Sequence, residues 1–160
     1  MPPASARPTP VTCCAGWPTA TPSSGRSNVH AAEFYDYAVI RLVPRVERGE
    51  FINVGILLSC AASGHLAVRI ELDPQRALAL DPTLDLDQVH RLLGAIEAIV
   101  RGGAQAGPIG LLPPRARFHW LTAQRSAILQ TSPTHGGKCG DLDATMEHLM
   151  RRMVRVAGAD

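Results

Sequence analysis

Three arginines, two glutamates and an asparagine fall within fifteen residues in the run Arg41-Leu-Val-Pro-Arg45-Val-Glu47-Arg48-Gly49-Glu50-Phe-Ile-Asn53-Val-Gly55. A carboxylate beside a guanidinium fixes its plane, and a fixed guanidinium grips phosphate or carboxylate through two parallel N–H bonds. On that reading Arg41, Arg45 and Arg48 are anion ligands, with Glu47 and Glu50 as their orienting carboxylates. The same residues also suit an exposed loop in which Glu47 and Glu50 pair with Arg45 and Arg48, each pair contributing ~0–1 kcal/mol. Asn53 and Gly55 read as structural, the first satisfying backbone groups at a strand start and the second marking a bulge or a close backbone approach.

A second concentration emerges from the charge distribution. Between Glu97 and Asp141 there is no acid, whereas Arg101, Arg115, Arg117, Arg125 and Lys138 are all cationic. Phe118, His119, Trp120 and His135 are interleaved with them, a pairing of cations with flat apolar faces that suits nucleotides or single-stranded nucleic acid. Arg117, Arg125 and His135 therefore join the candidate anion ligands. Phe118 and Trp120 are expected to point into the core from one strand, with Arg117 and His119 together on its other, water-facing side.

Other chemistry is less well supported. His119, His135, Asp141 and Asp143 could be combined as a metal set, but their spacing matches no known ligand pattern, so no metal is assigned. GxSxG, GxxxxGK[ST] and GxGxxG signatures are missing, as is a Cys with a matching His context, so no catalytic residue and no cofactor is assigned and enzymatic activity stays open.

These groups need a frame. Tyr37 to Val43 alternates as a strand carrying Arg41 and stops at Pro44; Phe51 to Ser59 and Leu66 to Leu72 read as two more, giving an antiparallel meander. A helical turn over Gln75 to Leu80 follows. A longer helix begins at the N-cap Asp85, repeats Leu86, Val89, Leu93, Ile96 and Val100 along one side, and stops at Gly102-Gly103. Arg117 to Leu121 and Ile128 to Thr131 read as further strands, and a last helix runs from about Asp141 to Val156. The expected architecture is α+β, in the order β-β-β-α-β-β-α, with a mostly antiparallel sheet and two main helices packed on one face.

The formal charge of +2 misleads, because Arg7 and Arg26 are the only charges in residues 1–30 and the other residues hold 14 cations and 14 anions. A neutral domain excludes a uniformly basic coat for nucleic acid or for an anionic membrane, so no sequence-specific DNA binding is expected and any anion site must be local. Residues 1–30 hold six of the 13 prolines and no acid, which predicts a disordered tail before a single domain over residues 31–160. Those prolines disfavour the amphipathic helix of a transit peptide and the apolar core of a secretory signal, and Val29 is a candidate for the true start. Cys13, Cys14, Cys60 and Cys139 show no CxxC spacing and read as reduced thiols. With no apolar run of ~20 residues, no membrane span is expected and the cytoplasm is the expected compartment.

The string from Tyr37 to Gly55, together with Arg117-Phe-His-Trp120-Leu-Thr-Ala-Gln-Arg125-Ser126 and Ser132-Pro-Thr-His135, resembles a bacterial family catalogued only as a domain of unknown function. The similarity spans about Tyr35 to Val154 and departs at Gln124, where proline is expected. The resemblance implies a small cytoplasmic bacterial protein, often encoded beside a HipA-like kinase, and brings no catalytic residues. Two functions follow as expectations. One is a non-catalytic partner or regulatory module of such a kinase-like protein, with the Arg/Glu hairpin as its recognition surface. The alternative is a nucleotide, nucleic-acid or other phosphate site built from Arg41, Arg45, Arg48, Arg117, Arg125 and His135.

Overall fold

The computed structural model describes residues 33–156. The tail expected over residues 1–30, the candidate start at Val29 and the Cys13-Cys14 pair lie outside that range. The described elements are β1 (Glu33–Leu42), β2 (Ile52–Cys60), β3 (His65–Ile70), α1 (Pro74–Leu80), α2 (Leu86–Arg101), a 3-10 turn leading into α3 (Gly107–Gly110), α4 (Pro114–Thr122), β4 (Leu129–Thr131), β5 (His135–Cys139) and α5 (Leu142–Met153). All pairings are antiparallel. The strands run in the order β3-β2-β1, and the outer edge of β1 is shared, with β5 against Glu33 to Tyr37 and β4 against Ile40 to Leu42. The α+β class and the antiparallel meander expected of the sequence are both present.

The distribution of the helices differs from expectation. Val39, Ile56 and Leu58 pack against Met146, Leu149 and Met150 of α5, whereas Ile40, Leu42 and Leu57 pack against α1, α2 and α4. Neighbouring strand residues point to opposite faces. The two main helices therefore cover opposite faces, not one, and the apolar runs Ala38-Val39-Ile40 and Ile56-Leu57-Leu58 are buried throughout because both sides are covered.

A bulge in β2 reconciles the two faces along that strand. Gly55 lies opposite Ile40 but Asn53 lies opposite Arg41, which leaves Val54 as the extra residue. A Cβ at Gly55 would stand 2.6 Å from the Arg69 carbonyl oxygen, so the neighbouring backbone requires glycine there. Asn53, turned by the bulge toward α5, donates its side-chain amide to the Met153 carbonyl at 2.8 Å and so closes the C-terminal turn of that helix.

The helices start where the sequence supplies caps: Asp73, Asp85 and Asp141 each accept backbone N–H bonds from the first turn of α1, α2 and α5. On the α5 side, Arg155 grips Glu71 at 2.6 and 2.7 Å and also meets Glu147, which Arg69 reaches at 2.5 Å. These bonds hold the Glu71 and Glu147 carboxyls below the usual carboxylate range and raise the Arg155 guanidinium.

The strand expected over Arg117 to Leu121 is instead part of α4. Pro114 occupies its first turn, where a missing N–H costs nothing, and Phe118 and Leu121, three residues apart, both enter the core. Trp120, expected inside with Phe118, lies at the surface. Conversely, the segment around His135 is strand β5, held by backbone pairing to β1 and not by an apolar pattern. Among the described residues no helix is long and apolar enough to cross a membrane.

Candidate anion pocket at Arg41 and Arg125

The β1–β2 hairpin turns tightly. Arg48 and Gly49 donate their N–H groups to the Arg45 carbonyl at 3.1 and 3.3 Å, and Gly49 takes φ +69°, a conformation that favours glycine. The turn folds Val46, Gly49 and Phe51 back toward Arg41, and β4 brings Gln130 directly opposite Arg41 in the ladder. The loop before β4 adds Arg125 and Ser126. Together with Val43, these residues line a cavity of about 360 Å³. Among the described residues no carboxylate and no histidine contributes to its walls.

The two arginines are held by aromatic rings and not by acids. The Arg41 guanidinium carbon lies 4.4 Å from the centre of the Phe51 ring, and the Arg125 guanidinium carbon lies 3.9 Å from that of Trp120. Arg125 also donates to the Trp120 carbonyl at 2.5 Å. Neither forms an ion pair among the described residues. The Arg41 Nε is buried without a hydrogen-bond partner among the described residues, and a buried unsatisfied donor costs about 1–3 kcal/mol. An acceptor delivered into the cavity would find two positively charged groups, each over an aromatic ring and neither paired with a carboxylate among the described residues.

The other candidates are placed elsewhere. Arg45 makes a two-pronged bond to Asp81 at 3.2 and 3.4 Å, and Asp81 also accepts from the N–H and hydroxyl of Thr83. These donors hold the Asp81 carboxyl down to about 2, and the pair ties the hairpin to the link between α1 and α2. Arg48 pairs with Glu50 at 2.9 Å in solvent, as the loop reading allows, and Glu47 makes no hydrogen bond among the described residues. Neither glutamate orients Arg41 or Arg125.

Arg117, read as an exposed strand residue, is buried. Its Nη1 donates to the carbonyls of Ile99 and Val100 at 2.8 and 2.7 Å, closing the end of α2. His135 stacks its ring 5.3 Å from Tyr37 and pairs with that residue, four positions along β1 from Arg41, so it does not line the cavity. The expected basic field is likewise dispersed: Arg115 pairs with Asp36 at 2.6 Å and Lys138 covers Phe34. Of the six expected ligands, Arg41 and Arg125 are brought together.

Phe51 and Gln130 carry no sequence signal for this site, whereas Trp120 is one of the flat faces interleaved with the cations. The alternation of β1 fixes the side of Arg41, but the register that brings Gln130 beside it depends on β4, three residues long. Among the described residues no group of three or more His, Cys, Asp or Glu side chains is gathered to hold a metal. A family model described as a protein of unknown function, DUF3037, matches residues 37–154. The chain belongs to the DUF3037 family. No curated protein and no solved structure matches it. DUF3037 membership therefore assigns no chemistry to the cavity, and its function rests on the geometry.

Proposed function

We propose that this protein is a binding module for a phosphate-containing ligand, whose anionic group seats between Arg41 and Arg125 in a bacterial cytoplasm. The observation that carries this reading is the buried Arg41 Nε, unpartnered among the described residues, in a cavity whose described lining holds a second arginine and no acid. The Phe51 and Trp120 rings restrain the two guanidinium groups before the ligand arrives, which lowers the ordering cost of binding. Ser126 has no histidine or carboxylate beside it in the cavity, so the lining favours recognition over nucleophilic chemistry. Calorimetric titration of the whole chain with inorganic phosphate and pyrophosphate tests the reading. Arg125→Ala should weaken binding about tenfold or more, the loss of one charge-assisted hydrogen bond. No detectable binding by the wild type would remove the proposal.

A second reading, a regulatory companion of a HipA-like kinase, is favoured by the exposed Val46 and Phe51 on the hairpin. Co-purification with such a kinase at micromolar concentration would support it, and separate elution would count against it.

A further inference from the structure

A second cavity, about 240 Å³, meets the first at Arg125 and Gln130. Its walls are apolar, with Leu92 and Ile96 of α2 on one side and Leu121 of α4 on another. Its remaining side is different. Five consecutive residues, Ala127 to Thr131, line it, although alternate residues of a strand face opposite ways. The edge of β4 itself must therefore contribute. Val43 donates to the Ile128 carbonyl and Ser132 donates to the Val39 carbonyl, so these even-numbered residues turn their backbone groups toward β1. Leu129 and Thr131 then direct their N–H and C=O outward, at an edge that pairs with no further strand among the described residues. The Thr131 hydroxyl, on the same strand, is buried without a partner among the described residues.

Resting on the phosphate reading above, we infer that this groove receives the base of a nucleoside phosphate whose phosphate is held by Arg41 and Arg125. A nucleobase combines apolar faces with an edge of alternating donors and acceptors, and the groove combines apolar walls with a strip of outward N–H and C=O groups. An acyl chain would fill the walls but leave that strip unpaired. A peptide added as a strand would pair with it, but β4 is only three residues long, and Pro133, two residues beyond it, has no N–H. That edge is too short to fix the register of a peptide and long enough for one base. Arg125, stacked on Trp120 and lining both cavities, is the junction between base and phosphate.

The test separates base from phosphate. The whole chain is titrated calorimetrically with inorganic phosphate, ribose 5-phosphate and the nucleoside 5′-monophosphates, and the series is repeated with Ala95→Trp, a substitution at an exposed position that fills the groove. At least one nucleoside monophosphate should bind about tenfold or more tighter than ribose 5-phosphate. Ala95→Trp should erase that advantage and leave the affinity for inorganic phosphate unchanged. A 5′-phosphorylated single-stranded oligonucleotide binding as tightly as the mononucleotide would identify a nucleic-acid end as the source, whereas binding of the mononucleotide alone would identify a free nucleotide. Equal binding of ribose 5-phosphate and every nucleoside monophosphate would overturn the base groove while leaving the Arg41/Arg125 site standing. Failure of inorganic phosphate and every phosphate ester to bind would remove both.

Discussion

Ser132 replaces a strand residue in the ladder of β1: its hydroxyl oxygen accepts the Val39 N–H at 2.9 Å, while its own N–H donates to the Val39 carbonyl at 2.9 Å. The exchange satisfies Val39 at the point where Pro133 interrupts the outer edge, and it separates β4 from β5. Ser132 is 2% exposed. Ser132→Ala would leave a buried N–H without an acceptor and should cost about 1–3 kcal/mol in chemical denaturation. An unchanged midpoint would show that the junction between β4 and β5 holds without this bond.

Arg117 should matter for stability and not for anion binding. It is 8% exposed and directs its guanidinium at the last carbonyls of α2. The Gly102 backbone passes so close to that guanidinium that a Cβ there would collide with it. Arg117→Leu should destabilise the fold by about 2–3 kcal/mol, the scale of hydrogen bonds to a charged group. Phosphate affinity of the folded fraction should stay at the wild-type level; a selective loss of binding would restore Arg117 to the ligand set.

The Arg45–Asp81 pair carries a pH signature. An aspartate in the unfolded chain titrates near ~3.9, and Asp81 in the fold titrates at about 2, chiefly because of its bond to Arg45. A carboxyl whose folded value is depressed stabilises fully above the unfolded value, and loses that contribution as pH falls toward the folded one. Asp81→Asn should therefore melt below the wild type at neutral pH. The gap should close between about pH 4 and about pH 2. A gap that persists unchanged at pH 2 would deny the ionic contribution.

Asn53 links β2 to the end of α5, since its amide reaches the Met153 carbonyl. Asn53→Ala should lower stability by about 1 kcal/mol, a typical net hydrogen bond, and loosen the last turn of α5. Amide exchange of that turn is the direct readout, and an unaltered melting temperature would contradict the role.

Much of this fold was legible because local signals agreed with tertiary ones. Asp85 and Asp141 sit ahead of amphipathic stripes, and Gly55 interrupts an apolar strand at the bulge. The α4 segment misled because Arg117-Phe118-His119-Trp120 alternates like a strand over four residues, too few to reveal that Phe118 and Leu121 share a helical side. Pro113-Pro114 held the stronger signal, since proline suits a first helical turn. Strand β5, His-Gly-Gly-Lys-Cys, has no alternation at all and exists because β1 offers it an unpaired edge. The two-sided burial of the sheet could have been read from the unbroken apolar runs of β1 and β2, which a one-faced sheet would interrupt with polar residues.

The candidate site was legible in composition and not in pairing. Arg density pointed to the hairpin, but local charge counting could not separate Arg45 and Arg48, which find Asp81 and Glu50, from Arg41, whose partner is a ring. That distinction depends on where Asp81 and Phe51 lie in three dimensions.

The account turns on Arg41 and Arg125 acting on one anion. Inorganic phosphate titrated calorimetrically into wild type, Arg41→Gln, Arg125→Gln and the exposed-pair control Arg48→Gln measures this directly. Each of the first two substitutions should weaken binding about tenfold or more, with Arg48→Gln close to wild type. Wild-type affinity in both Arg41→Gln and Arg125→Gln would contradict the account.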